Sequence, residues 1–494
     1  MNRIAQLLIV CLGACLYASG QYCDPYYMDC TGGGTGVPTT SYGTGTSNFA
    51  QQHFVPHMVS GGGFVTSVTL VNLNAVTNTG QLLYWGQDGS TQQRTPFSLA
   101  PGASMRVATP EAARWGPTTV QWLTVSSNLN LGVNTFFELQ SSASSTTVVN
   151  TVGFNDPVET TSFVIPVEFQ TTGGLRTVGL ALANDTSDPT TVHLSLVNSS
   201  GATLASTVRS LASFQQISLD LFTVAEFQAV LPATNFLGTV VVTSDHTVSA
   251  IALGDDIGPF YSTPPILNGN VGHLVVPHMV SGGGFVTKLT FINMSTNTNA
   301  LDVKLYDTAG NLLKDQTVTL PPNGTARIST DEAARFGPTQ VSWADVSAPF
   351  PAAVNAFFEL EDSVTHAVIN TIGFNDAAAG TDFTFPVEFM PPSNSGSGRT
   401  AGLAIANPSA SQTTVTLKLL DPSANVLATA SVTLPPNGQK SIDLSNLAEF
   451  KAALPAGDFV GVVTLSAGTP VAVIALGDDF GPFYSTPGMT GRAF

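Results

Sequence analysis

Twelve residues at 55–66, VPHMVSGGGFVT, return unchanged at 276–287. An internal copy constrains a fold more than any composition does, because each copy must close as one structural unit or a whole number of them. The copying runs the length of the chain. EAARWGPT (111–118), NTFFEL (134–139), NTVGFND (150–156), PVEF (166–169) and GDDIGPFYSTP (254–264) come first. About 220 residues later stand EAARFGPT (332–339), NAFFEL (355–360), NTIGFND (370–376), PVEF (386–389) and GDDFGPFYSTP (477–487).

Each half divides again. FVPHMVSGGGFVTSVTLVNLN and FVIPVEFQTTGGLRTVGLALAND share one plan: an apolar strand with a proline, a glycine-bearing turn, then an alternating strand ending in asparagine. A second alternating strand, a short acidic helical piece and two more strands follow in both. In TVHLSLVN, Val192, Leu194 and Leu196 fall on one side and polar residues on the other, the period of a strand with one wet face. Units of about 100 residues, built of six to eight short strands with polar turns, predict an all-β chain of four tandem immunoglobulin-like β-sandwich domains in two duplicated pairs. Their expected spans are 52–157, 162–266, 273–377 and 382–490. The short links between them predict a rod.

Lys+Arg number 16 against 33 Asp+Glu, a net charge of −17. That balance argues against nucleic acid or anionic membrane as a partner. Residues 1–20 read as a signal peptide: Arg3, an apolar run too short for a confident membrane span, and a small-residue cleavage site at Ala18-Ser19-Gly20. Cys15 follows LGA, a lipobox-like pattern, so lipidation is the alternative to plain cleavage. The expected location is secreted or cell surface. Beyond the signal the only cysteines are Cys23 and Cys30, which an oxidising compartment would join in a disulfide loop. Residues 21–51 combine that loop with a linker rich in Gly, Thr and Ser.

The stretch VSGGGFVTSVTLVN, with the later YWGQDG, the Leu-x-Pro-Gly turn and the terminal FYSTPP, resembles a tandem repeat of uncharacterised secreted acidobacterial proteins. The resemblance spans nearly all of 52–490 and implies a secreted, immunoglobulin-like repeat with no assigned activity. Phe64 and Phe285 stand where that repeat commonly has tryptophan, and no catalytic domain precedes the repeats.

Several residues invite a chemical role. Gly61-Gly62-Gly63 lead into a strand and not a helix, so they read as a tight turn and not a phosphate cradle. His57 and His278 read as strand histidines, since His53 and His273 precede them at unequal spacings and no common metal geometry results. Asp255, Asp256, Asp478 and Asp479 in the GDD turns are the calcium candidates, with Asp156 and Asp376 nearby; solvated or backbone-capping turns are the ordinary reading. Calcium is the only cofactor raised. Glu111–Arg114 and Glu332–Arg335 have the spacing of surface ion pairs on a helical turn. Trp85, Trp115, Trp122 and Trp343 read as core aromatics before sugar platforms. No hydrolase elbow, zinc helix or P-loop occurs.

The function expected is therefore non-enzymatic: a secreted repeat protein with a structural or adhesive role. Its partner would be a protein or polysaccharide, or a further copy of itself. A carbohydrate- or calcium-binding module is the alternative and a hydrolase the remote one. The stretches that the halves share read as joints between units.

Overall fold

The computed structural model describes residues 49–490 except 144, 156–158, 171–175, 257, 392–397 and 480. The signal peptide, Cys15, the Cys23 and Cys30 loop, most of the tether and Asp156 lie outside the described residues, as does the side chain of Asp256.

The described residues are all-β, in five hydrogen-bonded sheets. Unit 1 comprises β1 (Gln51–Ser60), β2 (Phe64–Asn72), β3 (Asn78–Gly86), β4 (Thr91–Leu99), β5 (Ser104–Ala108), β6 (Thr119–Ser127), β7 (Leu131–Ser142) and β8 (Ser145–Asn155). They make two sheets of order β1-β6-β3-β4 and β5-β2-β7-β8. Unit 2 repeats the plan with β9 (Thr160–Phe169), β10 (Arg176–Asn184), β11 (Thr190–Asn198), β12 (Thr203–Leu211), β13 (Gln216–Asp220), β14 (Phe236–Asp256) and β15 (Phe260–Thr263). Unit 3 has β16 (Asn270–Ser281), β17 (Phe285–Asn293), β18 (Asn299–Asp307), β19 (Leu312–Leu320), β20 (Thr325–Ser329), β21 (Gln340–Glu361) and β22 (Val368–Asn375). Unit 4 has β23 (Gly380–Phe389), β24 (Arg399–Ala406), β25 (Thr413–Leu420), β26 (Val426–Leu434), β27 (Gln439–Asp443), β28 (Phe459–Asp479), β29 (Phe483–Pro487) and β30 (Met489–Thr490).

In units 2 to 4 a single long strand takes the place of β6 and β7. The first half of β14 pairs with β9 and β11, and its second half crosses to pair with β10 and β15. Second and fifth strands are neighbours, as are third and sixth, which is also true of the immunoglobulin sandwich. The first strand departs from that pattern by lying beside the sixth.

Alternation fills the core as the sequence suggests. Val192, Leu194 and Leu196 are fully buried in β11 and share one core with Ile165 and Val242 of the adjoining β9 and β14 and with Leu180 of β10. Each such side chain contributes about 1.5–3 kcal/mol of burial. The helical pieces are one or two turns long, at Glu111–Ala113, Ala225–Gln228, Glu332–Ala334 and Ala448–Ala453, and carry the chain from one sheet to the other.

The asparagine that ends each second strand has a definite task. Asn72, Asn184, Asn293 and Asn407 are buried, and each Nδ2 donates to a carbonyl of the turn before the fifth strand: Ala100 O at 2.9 Å, Ala212 O at 2.9 Å, Pro321 O at 2.7 Å and Pro435 O at 2.8 Å. Those turns are docking points. The hairpin between the third and fourth strands of one unit reaches the next unit there, through the same backbone bond each time. Gln216 N donates to Gln87 O at 3.0 Å, Thr325 N to Ser199 O at 3.0 Å and Gln439 N to Thr308 O at 3.1 Å. The fourth bond runs from Ser104 N in unit 1 to Pro422 O in unit 4, at 3.0 Å.

That last contact overturns the expected rod. Each unit presents one surface to its successor and a different one to its predecessor, and after four steps the series returns to the start; such contacts close when the rotation between units allows it. The final strands β8, β15, β22 and β29 meet at the middle. Ser262 Oγ donates to Gly153 O at 3.0 Å and Ser485 Oγ to Gly373 O at 3.1 Å. A Cβ on Gly153 would lie 3.0 Å from Ser485 O, and one on Gly373 2.6 Å from Ser262 O, so only glycine fits at either place. The repeated GFND and FYSTP letters are therefore centre contacts of a ring.

Candidate functional site

Two kinds of joint alternate around this ring. The joints between units 4 and 1 and between units 2 and 3 are charged. At the first, Arg399 reaches Asp479 at 2.6 Å within its own unit and Glu138 of unit 1 at 2.6 Å, and it also pairs with Glu388. Arg106 returns from unit 1 to Glu388 at 2.7 Å, and Thr151 donates to Asp479. At the second, Arg176 joins Glu168 at 2.9 Å and Glu359 of unit 3 at 2.7 Å, while Arg327 crosses back to Glu168 at 2.7 Å. Lys288 adds a further contact to Glu359 at 2.9 Å. Burial pushes Glu359 upward, but Lys288, Arg176 and Arg335 outweigh it and hold the carboxyl at about 2. Glu168 is likewise lowered by Arg327 and Arg176 against burial.

The copied segments feed these clusters. Gly61, Gly62 and Gly63 all have positive φ, and a Cβ on Gly61 would sit 2.1 Å from Pro117 O. The triplet docks on the EAARWGPT crossover through Gly62 N to Gly116 O at 3.0 Å and Gly63 N to Arg114 O at 2.8 Å. This is the structural turn the sequence indicates. Arg114 is not a surface partner of Glu111, however. It is 3% exposed and bridges Glu111 at 2.5 Å to Glu138 at 2.6 Å, so it belongs to the charged joint. Arg335 does the same with Glu332 and Glu359. The spacing revealed the first contact and could not reveal the burial.

The joints between units 1 and 2 and between units 3 and 4 are aromatic. Trp85 stacks between Trp122 and Phe214, with centroids 5.4 and 4.4 Å away, and Trp122 Nε1 donates to Phe214 O at 3.0 Å. Trp343 stacks on Tyr306 at 5.0 Å and donates to Asn437 O at 2.8 Å. Phe214 and Asn437 hold φ of 57° and 51°, a backbone that a phenylalanine seldom adopts. Three of the four tryptophans are thus interior, as expected. Trp115 is not: it is 41% exposed, and Phe336 at the equivalent place is 42% exposed.

Beside each aromatic stack lies a pocket. The one between units 1 and 2 has a volume of about 120 Å³ and is lined by His57, Phe64, Phe137, Leu180, Ser218 and Asp255 among others. The one between units 3 and 4, of about 360 Å³, is lined by the equivalents His278, Phe285, Phe358, Leu403, Ser441 and Asp478. Both histidines pack edge-on against phenylalanine, at 5.6 and 5.4 Å. Burial lowers each to about 4, so both rings are neutral at pH 7. These histidines read as ordinary from the sequence; the only signal for them was the identity of the two copies.

Gln87 Nε2 donates to Gln216 Oε1 at 2.9 Å, which orients the Gln216 amide nitrogen towards Ser218 Oγ at 2.9 Å and His57 Nδ1 at 3.4 Å. In the second pocket Gln439 Nε2 faces Ser441 Oγ at 2.9 Å and His278 Nδ1 at 3.3 Å. With the amide nitrogens facing it, Nδ1 accepts in both rings, and Ser441 Oγ also lies 3.2 Å from His278 Nδ1; the Nε2–H tautomer follows from that amide orientation.

The calcium candidates whose side chains are described do not converge. Asp255 Oδ1 accepts Gly258 N at 2.9 Å and Asp478 Oδ1 accepts Gly481 N at 2.7 Å, each closing its own turn. Asp479 is committed to Arg399 and Thr151, and Asp376 accepts Val354 N at 2.9 Å. Asp256 pairs through its backbone with Arg176 in the β10–β14 ladder. Among the described residues no group of three or more His, Cys, Asp or Glu side chains is placed to hold a metal ion. His53 and His273 do not line the pockets; His273 meets Asp345 at 3.0 Å. A separate, half-buried pair, Glu159 and Asp185, faces carboxyl to carboxyl, and desolvation together with the mutual repulsion raises Asp185.

Residues 374–473 match the model of a family of unknown function (DUF5719), a segment that starts in β22 and ends inside β28. No curated protein sequence matches the chain. Among solved structures, Thermotoga maritima 1070 is 8% identical, with 22% of this chain and 93% of that one covered and a TM-score of 0.19. A glycoside hydrolase family 32 protein from Bifidobacterium adolescentis is 9% identical over 85% and 98%, with a TM-score of 0.14. The major pilin from Streptococcus pyogenes is 8% identical over 66% and 99%, with a TM-score of 0.12. Scores this low carry no argument about fold or activity. The chain is similar in one segment to a family without an assigned role.

Proposed function

We propose that the chain is a non-enzymatic module working outside the cell, four variants of the immunoglobulin-like sandwich closed into a ring with a structural or adhesive role. The observation that carries this reading is where the duplicated letters go. SGGG, EAAR, FFEL, GFND and FYSTP are spent on turns, joints and the ring centre, and the carboxylates of the charged joints are neutralised by arginine and lysine. A cationic partner for each clustered acid of those joints favours a fixed scaffold there over acid–base chemistry.

Its adhesive surface would be the rim. β4, β12, β19 and β26 each end their sheet, and Val208, Leu312, Leu313, Val426 and Leu427 are exposed on them. Open strand edges with apolar side chains, as on β12, β19 and β26, invite pairing with a further strand, and three such edges on one body add weak contacts through multivalency. Full-length protein incubated with cells and envelope fractions should be retained without turning anything over, and Leu312→Lys with Leu427→Lys should weaken retention. Hydrolysis of any member of a panel of polysaccharides, esters and peptides would overturn the proposal.

Trp115 and Phe336 favour the carbohydrate alternative, because two exposed aromatic rings at equivalent places can stack on sugars. Retention on a polysaccharide column that disappears in Trp115→Ala with Phe336→Ala would establish that reading.

A further inference from the structure

We propose that each of the two pockets binds one small, uncharged, mainly apolar molecule carrying a hydrogen-bond acceptor, which takes the Nε2–H of His57 in one pocket and of His278 in the other. This goes beyond a scaffold role and does not depend on it.

Three observations carry it. The first is an unspent donor. With Nδ1 accepting from glutamine, the remaining proton sits on Nε2, and neither Nε2 has a protein hydrogen-bond partner among the described residues. Both histidines line their cavities, His278 with only 8% of its surface exposed. A buried N–H without an acceptor is destabilising, and an apolar cavity beside it compounds the cost. A joint that needed only to be tight would fill both with a larger side chain.

The second is the lining. Phe64, Phe137 and Leu180, like Phe285, Phe358 and Leu403, give apolar walls around one polar point, the usual build of a small-molecule site. A cavity of about 120 Å³ approaches the roughly 150 Å³ that accepts benzene. Asp255 and Asp478 in the walls repel an anion, so the acceptor belongs to a neutral group such as a carbonyl or ether.

The third is repetition. The third and fourth strands drifted after duplication, from GQLLYWGQDGSTQQRTPFSL to ALDVKLYDTAGNLLKDQTVTL. The pocket did not: His57, Phe64, Phe137, Ser218 and Asp255 all recur as the same residue types 221 to 223 positions later.

The test uses full-length protein at pH 7 and three probes of similar size: acetophenone (a ring with a carbonyl), ethylbenzene (without an acceptor) and benzoate (an anion). Calorimetry should show two acetophenone molecules per chain, bound about tenfold more tightly than ethylbenzene, the preference expected of one neutral hydrogen bond to a buried donor. Benzoate should be the weakest. In His57→Phe with His278→Phe that preference should vanish while ethylbenzene still binds. Because the double variant could fold poorly, nitrogen NMR of the native rings gives a second reading: an Nε2–H tautomer whose proton signal moves with acetophenone and not with ethylbenzene. No saturable binding of either neutral probe, a preference that survives in the double variant, or histidines protonated on Nδ1 would each overturn the proposal.

Discussion

The joint between units 2 and 3 and the joint between units 4 and 1 use one design under different constraints. Arg176, Glu168, Arg327 and Glu359 in the first correspond to Arg399, Glu388, Arg106 and Glu138 in the second. The first is also held by continuous chain: Ile266 in the link pairs with Val164 and packs on Ile292 and Ala353. The second has no link. Its substitute is Met489 near the C-terminus, which follows β29, packs with Val71, Leu73 and Val462 and faces Gly132 of unit 1. The covalent joint has a further cation, Lys288, where the other has Ser67. Closure of the ring therefore rests on buried charge, the Ser104–Pro422 backbone bond, the β8–β29 contact and Met489, with no chain link beneath them, and the comparison locates its weakest seam.

The largest effect should come from Arg399→Ala. It leaves Glu138, Glu388 and Asp479 without their shared guanidinium, and stripping one partner from a buried ion cluster costs about 3–5 kcal/mol. Denaturant unfolding should show the loss and scattering should show an expanded molecule. The same change at Arg176 should destabilise as much yet expand less, because the link remains.

Next in size is Met489→Ala against Ile266→Ala. Each empties an apolar site for about 2–4 kcal/mol, but only the first should raise the radius of gyration.

The aromatic joints should respond to pH. His57 and His278 are lowered to about 4, so the unfolded chain takes up their protons first as pH falls below about 6.5. Their share of stability is complete above that value, shrinks between pH 6.5 and 4, and is on the order of 2–3 kcal/mol per ring. His57→Phe with His278→Phe should flatten this part of the profile. Glu359, depressed to about 2, acts further down: its contribution is present above about 4.5 and lost as pH falls towards 2. Asp185, raised by burial and Glu159, has the opposite sign and loses stability as pH climbs, an effect that Asp185→Asn should remove.

The smallest effect should be a gain. Ser67→Lys supplies the charged joint of units 4 and 1 with the ammonium that unit 3 has at Lys288, and should add up to about 1 kcal/mol in thermal unfolding.

Much of this was legible in the letters. Alternation in TVHLSLVN gave buried Val192, Leu194 and Leu196, and the recurring asparagines marked the ends of second strands that proved to organise the docking turns. Ring closure was not legible, because the bond from Ser104 to Pro422 joins residues with no shared pattern, and short links suit a rod as well as a ring. Arg114 misled because an i,i+3 pair looks the same whether the arginine then faces water or Glu138. The pocket histidines escaped because a lone strand histidine carries no spacing signal; their cavities arise only where two units meet.

Solution scattering on the whole protein tests the central claim most directly, since a closed ring and an extended series of the same units differ in size before any residue is changed. Closure by units 4 and 1 calls for a radius of gyration near the roughly 23 Å of a compact chain of this length, somewhat enlarged by the N-terminal tether. A value roughly twice that, with the profile of a rod, would contradict it.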